Sequence, residues 1–157
     1  MKVAFYIGTR PGIAGLYNRL VRWWENGTSS HVELVFSDGI SASASLADEG
    51  VRFKYIQFNP ANWVFIDLGN LFDEDYARKW FISRIKERAK YDWFGQLRFF
   101  IAPYQGSANR YWCSEAVGAA LQLRDPWRYG PNPLRIVIEE MTAPHRARFF
   151  VASQGKR

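Results

Sequence analysis

Residues 31–45 read HVELVFSDGISASAS, and this stretch decides the fold that the rest of the chain must complete. Its first part, 31–36, has the partial alternation of apolar and polar side chains that predicts a β-strand. Residues 37–39 (SDG) have the composition of a hairpin turn, and 40–45 predicts the returning strand. Because small side chains alternate along that second strand, we expect one of its faces to lie close against another element.

Further elements are predicted on both sides of this hairpin. Short apolar or alternating runs predict strands, and longer runs with a helical period predict helices. The predicted strands are 2–8, 51–58, 63–68 and 148–152, and the predicted helices are 13–25, 73–90, 91–100, 113–122 and 134–141. Consecutive short strands favour antiparallel pairing. We therefore expect an α+β fold, a mostly antiparallel sheet packed against helices, in a single domain over 1–157.

Residues 13–25 (IAGLYNRLVRWWE) form the most regular of the predicted helices. Ile13, Leu16, Leu20, Trp23 and Trp24 recur at helical spacing. This spacing predicts an amphipathic helix, which the following Asn-Gly pair would end.

Composition limits the chemistry. The chain has one cysteine and two histidines among 157 residues, so an internal disulfide and a CxxC metal site are both excluded. We expect no metal and no cofactor. The net charge of +6 would suit an anionic surface. Solvated basic helix faces are the plainer interpretation, and no nucleic-acid-binding motif is present. No residue pattern indicates an oligomeric state.

The amino-terminal residues do not resemble a secretory signal. A short apolar run over 2–8 is interrupted by Arg10 and Pro11. No run approaches the roughly 18 apolar residues that a transmembrane helix requires. We therefore expect a protein made in the cytoplasm, which would need another route to reach a substrate in the cell envelope.

The lone cysteine, Cys113, follows a polar loop and begins a predicted helix. Backbone N–H groups and the helix dipole at such a position stabilise a thiolate and can hold an oxyanion. A lone cysteine is more often a small buried hydrophobe, so position alone does not make it a nucleophile. His31, at the start of a strand, is the first candidate for a general base, and His145 is the second.

A third group should orient the imidazole ring of the base. Ser41, Ser43 and Ser45 share one face of the returning strand, and we expect Ser43 to lie across the hairpin from His31. Glu33 shares the face of His31 and is the carboxylate alternative. The residues leave this choice open.

The order of these features resembles the circularly permuted branch of the NlpC-type papain-fold hydrolases. That branch includes cell-wall-peptidase-like proteins and the lecithin retinol acyltransferase group. The resemblance spans residues 30 to about 120, and each matching piece is short. The pieces are 30–36 (SHVELVF), 37–39 (SDG), 50–53 (GVRF), 90–93 (KYDW) and 111–115 (YWCSE).

The resemblance implies a permuted papain-like fold with Cys113 as nucleophile and His31 as base. It places the third polar residue at or near Ser43, where the family usually has a stronger polar group such as His or Glu. It also implies that Tyr91, Asp92 and Trp112 contact the substrate, although a packing role for Tyr91 is equally compatible with the sequence.

Three functions remain open from the sequence. The resemblance favours a cysteine peptidase or amidase acting on a peptide or amide substrate such as a peptidoglycan stem peptide. The same residues could serve an acyltransferase or thioesterase acting on lipid esters, although no amphipathic membrane anchor stands out in the sequence. The third possibility is a non-catalytic basic module that binds an anionic partner.

Overall fold

A computed structural model describes residues 1–92 and 109–143 of the chain. The candidate base His145, the predicted strand 148–152 and nearly all of the predicted helix 91–100 lie outside the described residues.

Within the described residues, seven strands form one mixed sheet in the order β5-β1-β2-β3-β4-β6-β7. Every pairing is antiparallel except the last, β6 with β7. The strands are β1 Lys2–Tyr6, β2 His31–Val35, β3 Ser41–Ser45, β4 Gly50–Lys54, β5 Trp63–Asp67, β6 Lys90–Tyr91 and β7 Arg110–Tyr111. The predicted α+β class with a mostly antiparallel sheet is confirmed.

Four α-helices occur among the described residues. They are α1 Gly12–Trp24, α2 Glu74–Lys86, α3 Cys113–Ala120 and α4 Pro131–Thr142. A short 3₁₀ turn, Pro126–Arg128, precedes α4. Asp73 caps α2 as predicted, because its carboxylate accepts the Tyr76 amide N–H at 2.9 Å.

Two predicted helix boundaries are wrong. The helix predicted to reach Lys90 ends at Lys86, because the chain turns through Arg88 at a φ of +54° and Lys90 then joins β6. The helix predicted at 134–141 already begins at Pro131. A proline is well suited to the first helical position, where its missing N–H is not needed.

The core lies between one face of the sheet and the helices. Val3, Phe5, Val32 and Leu34 supply the sheet side of this core. Helix α3 packs against β2 and β3 with its small residues, and every residue of β3 is buried. The close approach to another element that the sequence predicted for β3 is thus made by helix α3, which the small side chains of β3 allow.

Helix α1 is amphipathic, but its apolar stripe faces away from the fold. Its buried residues are Gly15, Asn18 and Val21, whereas the stripe predicted from Ile13 to Trp24 is exposed. At Gly15, helix α1 lies close against the backbone of the preceding segment, and a Cβ there would lie 1.9 Å from the Arg10 carbonyl oxygen. The side of α1 that contacts the protein is thus held by small and polar residues.

Candidate active site

His31 lies between Cys113 and Glu33. Cys113 is 1% exposed and begins α3, while His31 begins β2. The His31 Nε2 atom lies 2.7 Å from a Glu33 carboxylate oxygen, and the His31 ring also hydrogen-bonds with Cys113. The structure therefore brings together the two residues predicted as nucleophile and base.

Glu33 is in turn held by Arg52, a residue on β4 that the sequence did not single out. Arg52 donates from Nη1 to one Glu33 oxygen at 2.7 Å and from Nη2 to the other at 2.5 Å. Its Nε donates to Asp48 at 2.9 Å. The Glu33 side chain is 1% exposed, so this two-pronged ion pair compensates an otherwise buried carboxylate.

The electrostatics of the site favour a protonated His31. Burial alone would lower the pKa of His31, but the negative charges and hydrogen bonds of Cys113 and Glu33 outweigh burial and raise the pKa to about 9. Burial would likewise raise the pKa of Glu33, but Arg52 and His31 hold that pKa below its usual value. An imidazolium at His31 beside an ionised Glu33 is the arrangement that these interactions stabilise.

The prediction that Ser43 orients His31 is wrong in geometry. The Phe36 amide bonds to the Ile40 carbonyl across a three-residue turn, in which Gly39 has a φ of +84°. This turn sets Leu34 opposite Ala42, so Ser43 lies beside Glu33 rather than beside His31. The Ser43 hydroxyl donates to the Val32 carbonyl at 2.7 Å.

Ser43 has a different place in the site. It lies opposite Arg52 in the β3–β4 register and so falls between Glu33 and Arg52 on one face of the sheet. A small side chain there lets the long Arg52 side chain reach across a whole strand to Glu33. Glu33, the carboxylate alternative, is the residue that contacts the imidazole.

Only one of the three predicted substrate contacts lines the cleft. Tyr91 lines it together with His31 and Cys113. Trp112 is 1% exposed in the core, where its indole N–H donates to the Tyr129 carbonyl, so its ring has no surface to offer a substrate. Asp92 is 3% exposed and does not line the cleft. Asp92 follows β6 and Trp112 follows β7.

The first turn of α3 presents backbone amides beside the thiol. Its N-cap residue, Trp112, contributes no capping side chain. Instead the Trp112 amide N–H donates to the Glu115 carboxyl at the third helical position, which is half of a capping box. Burial raises the pKa of Glu115 to about 8, despite that hydrogen bond. Glu115 is therefore a buried structural group rather than a solvent-exposed residue.

Two asparagines that the sequence did not single out fix the backbone before His31. Asn18 of α1 donates to the Ser30 hydroxyl at 2.9 Å. Asn132 of α4 accepts the Ser29 amide N–H at 2.7 Å and donates to the Ser29 carbonyl at 2.8 Å. No sequence pattern marked either residue, because their partners lie on separate elements.

The thiol opens into a cleft of about 340 Å³ between α1 and the β3–β4 turn. Apolar and aromatic side chains dominate its lining. They include Ile13, Ala14, Tyr17, Leu46 and Tyr91. Burial, together with nearby Cys113, raises the pKa of Tyr17, which keeps its hydroxyl protonated at neutral pH. In the described part of the chain no cluster of His, Cys, Asp and Glu could hold a metal ion.

None of the described helices is both long enough and apolar enough to cross a membrane. Comparisons of the chain with protein-family models, curated proteins and solved structures found no match.

Proposed function

We propose that this protein is a thiol hydrolase in which Cys113 is the nucleophile, His31 the acid–base group and Glu33 the residue that orients His31. The observation that carries the proposal is the position of the His31 ring, hydrogen-bonded to Cys113 on one side and to Glu33 on the other. Such a chain of nucleophile, base and orienting group is the arrangement that activates a cysteine for acyl transfer.

The reaction would proceed in two steps. The Cys113 thiolate attacks the substrate carbonyl carbon, and backbone amides at the start of α3 stabilise the resulting oxyanion. The His31 imidazolium gives its proton to the leaving amine, which departs and leaves a thioester. Neutral His31 then accepts a proton from water, whose oxygen attacks the thioester, and the thiolate leaves. The net reaction cleaves an amide with one water to an acid and an amine.

For the substrate we propose an amide bond of a peptidoglycan stem peptide, a class supported by the family resemblance of the chain. The test is incubation of the protein with purified peptidoglycan, followed by measurement of newly released amines. We expect release by the native protein and none by Cys113→Ala. Native protein that releases no amine would count against the peptidase.

A lipid ester is the second candidate substrate, and the cleft favours it specifically. Ile13 and Leu46, which are 88% and 61% exposed, form an apolar margin around the cleft that contains Cys113. The same thiol chemistry would transfer an acyl chain to the cysteine and release an alcohol. Incubation with a phospholipid ester, with Cys113→Ala as control, separates the two substrates by the product that appears.

A further inference from the structure

Helix α1 presents a continuous apolar surface to solvent. Five large side chains make up this outward stripe. Their exposed fractions are Ile13 88%, Leu16 68%, Leu20 43%, Trp23 74% and Trp24 48%. Single exposed hydrophobic residues are ordinary on protein surfaces, whereas a contiguous stripe along one helix marks an interaction surface.

The orientation of the stripe is fixed by polar contacts on the opposite side of α1. Asn18 donates to Ser30, and Arg22 donates to the Ile7 and Gly8 carbonyls at 2.7 and 2.6 Å. At the end of the helix, Glu25 accepts two hydrogen bonds from Asn132. Rotating α1 to bury the stripe would break all of these contacts, so the exposure is built into the fold.

The exposed charges along residues 9–24 are positive. This range contains no Asp or Glu, and Arg10 and Arg19 are exposed there, whereas Arg22 is held on the protein side of α1 by the Ile7 and Gly8 carbonyls. Within the described chain, no carboxylate forms an ion pair with any of these three arginines. Such a surface complements an anionic one and disfavours pairing with a second copy of itself, which would bring arginines together.

We propose that the outward stripe of α1 binds the surface of an anionic lipid bilayer. An amphipathic helix with tryptophan and leucine on its apolar face and arginine beside it is the kind that lies in the bilayer interface. Tryptophan favours that interface because its ring is apolar and its N–H is polar. Ile13 belongs to both the stripe and the cleft, so the Cys113 cleft would open at the lipid surface. This proposal of membrane binding does not depend on the thiol chemistry proposed for Cys113.

The first test is co-sedimentation with vesicles of phosphatidylglycerol and phosphatidylcholine, compared with phosphatidylcholine alone. We expect binding to the anionic vesicles that weakens as salt is added. Leu16→Ser with Trp23→Ser should lower the partition coefficient about tenfold or more, because two apolar side chains no longer enter the interface. Tyr55→Ser is the control and should bind as the native protein does, since Tyr55 is 75% exposed but follows the end of β4 that lies opposite to the cleft.

The second test reports what covers the stripe in solution. In a Cys113→Ser background, Leu16→Cys gives the only thiol, which takes a polarity-sensitive fluorophore. We expect emission typical of water in buffer and a blue shift on adding anionic vesicles. Absence of vesicle binding would overturn the proposal. Emission that is already blue-shifted in buffer would also overturn the proposal. If that blue shift depends on protein concentration, a second copy of the chain covers the stripe. If it does not depend on concentration, the chain itself covers the stripe. The rate of Cys113 alkylation in Leu16→Ser with Trp23→Ser tests the thiol separately and should stay unchanged.

Discussion

At the scale of single residues, the site depends on a line of charges running from Cys113 through His31 and Glu33 to Arg52. Each member compensates its neighbour in a buried setting, where an unpaired charge is costly. Glu33 accepts from His31 and Arg52 at the same oxygen, at 2.7 and 2.5 Å. The protonation of His31 is therefore linked to the integrity of the Glu33–Arg52 pair.

Replacing Glu33 should change the pH profile of Cys113 reactivity. Glu33→Gln removes a negative charge that helps raise the pKa of His31 to about 9. We expect that pKa to fall by about 1 to 3 units, so His31-dependent reactivity is lost at lower pH. The measurement is the rate of Cys113 alkylation against pH. Ser43→Ala is the matched control and should keep the native profile, because its hydroxyl bonds to the Val32 carbonyl. A Ser43→Ala profile shifted like that of Glu33→Gln would contradict this account.

Replacing Arg52 should destabilise the fold. Arg52→Met leaves the Glu33 carboxylate buried without its cationic partner, and we expect a loss of about 3 to 5 kcal/mol in the free energy of unfolding. Chemical denaturation measures this. Lys54→Met removes an exposed partner of Asp48 and should cost less than about 1 kcal/mol. An equal loss of unfolding free energy in Arg52→Met and Lys54→Met would show that the buried Glu33–Arg52 pair contributes no more than the exposed Lys54–Asp48 pair.

At the scale of elements, the segment before His31 is fixed by hydrogen bonds from two helices. Asn132→Ala removes the side chain that bonds to both the amide and the carbonyl of Ser29 and to Glu25. We expect a loss of about 2 to 4 kcal/mol in unfolding free energy, since buried backbone groups lose their partners. Thermal and urea denaturation measure it. A loss within experimental error would mean that the segment is held by other contacts.

The elements also show what local sequence determines. The hairpin 31–45 was predictable because its alternation, its turn residues and its small-residue strand all agree on one structure. The register was not predicted correctly, because Ser43 lies beside Glu33, two residues along β2 from its expected partner His31. Helix α1 was predictable from its period, but the side that faces the protein was not. That side is chosen by Gly15, Asn18 and Arg22, whose partners lie elsewhere in the chain.

The residues of the candidate site also fall into those that the sequence predicted and those that it did not. Cys113 and His31 could be found from their positions at a helix start and a strand start. Arg52 and Asn132 could not, because a buried arginine and a buried asparagine look like surface residues until the sheet register and helix packing place their partners. Trp112 was misassigned because its adjacency to Cys113 in sequence says nothing about which way its ring points.

At the scale of the whole molecule, the folded state should be least stable at alkaline pH. The pKa values of Glu25, Glu115 and His31 are raised to about 7, 8 and 9, chiefly by burial for the two carboxyls and by Cys113 and Glu33 for His31. A group whose pKa is higher in the folded than in the unfolded state stabilises the folded state at pH values below its unfolded pKa. That contribution is lost as the pH rises through the pKa of the folded state. Carboxyls whose pKa is lowered in the folded state, such as Asp48 at about 2, stabilise the folded state above their unfolded pKa and lose that contribution as the pH falls.

We therefore expect the melting temperature to be highest at about pH 4 to 5, near the unfolded pKa of the carboxyls, and to fall toward pH 9. Differential scanning calorimetry across this range checks the expectation. Glu25→Gln should flatten the profile between about pH 4.5 and 7, because it removes one of the three titrating groups while keeping an oxygen that can accept from Asn132. Stability that rises steadily from pH 6 to 9 would contradict the assignment.

The central claim is that Cys113 and His31 act as a pair, and alkylation of the lone thiol tests it most directly. The rate of reaction with iodoacetamide is measured against pH for the native protein and for His31→Ala. We expect the native thiol to react already at neutral pH and His31→Ala to lower this rate by about tenfold or more, since only the thiolate reacts. A native thiol that titrates near the free value of about 8.5, with the same profile in His31→Ala, would contradict it.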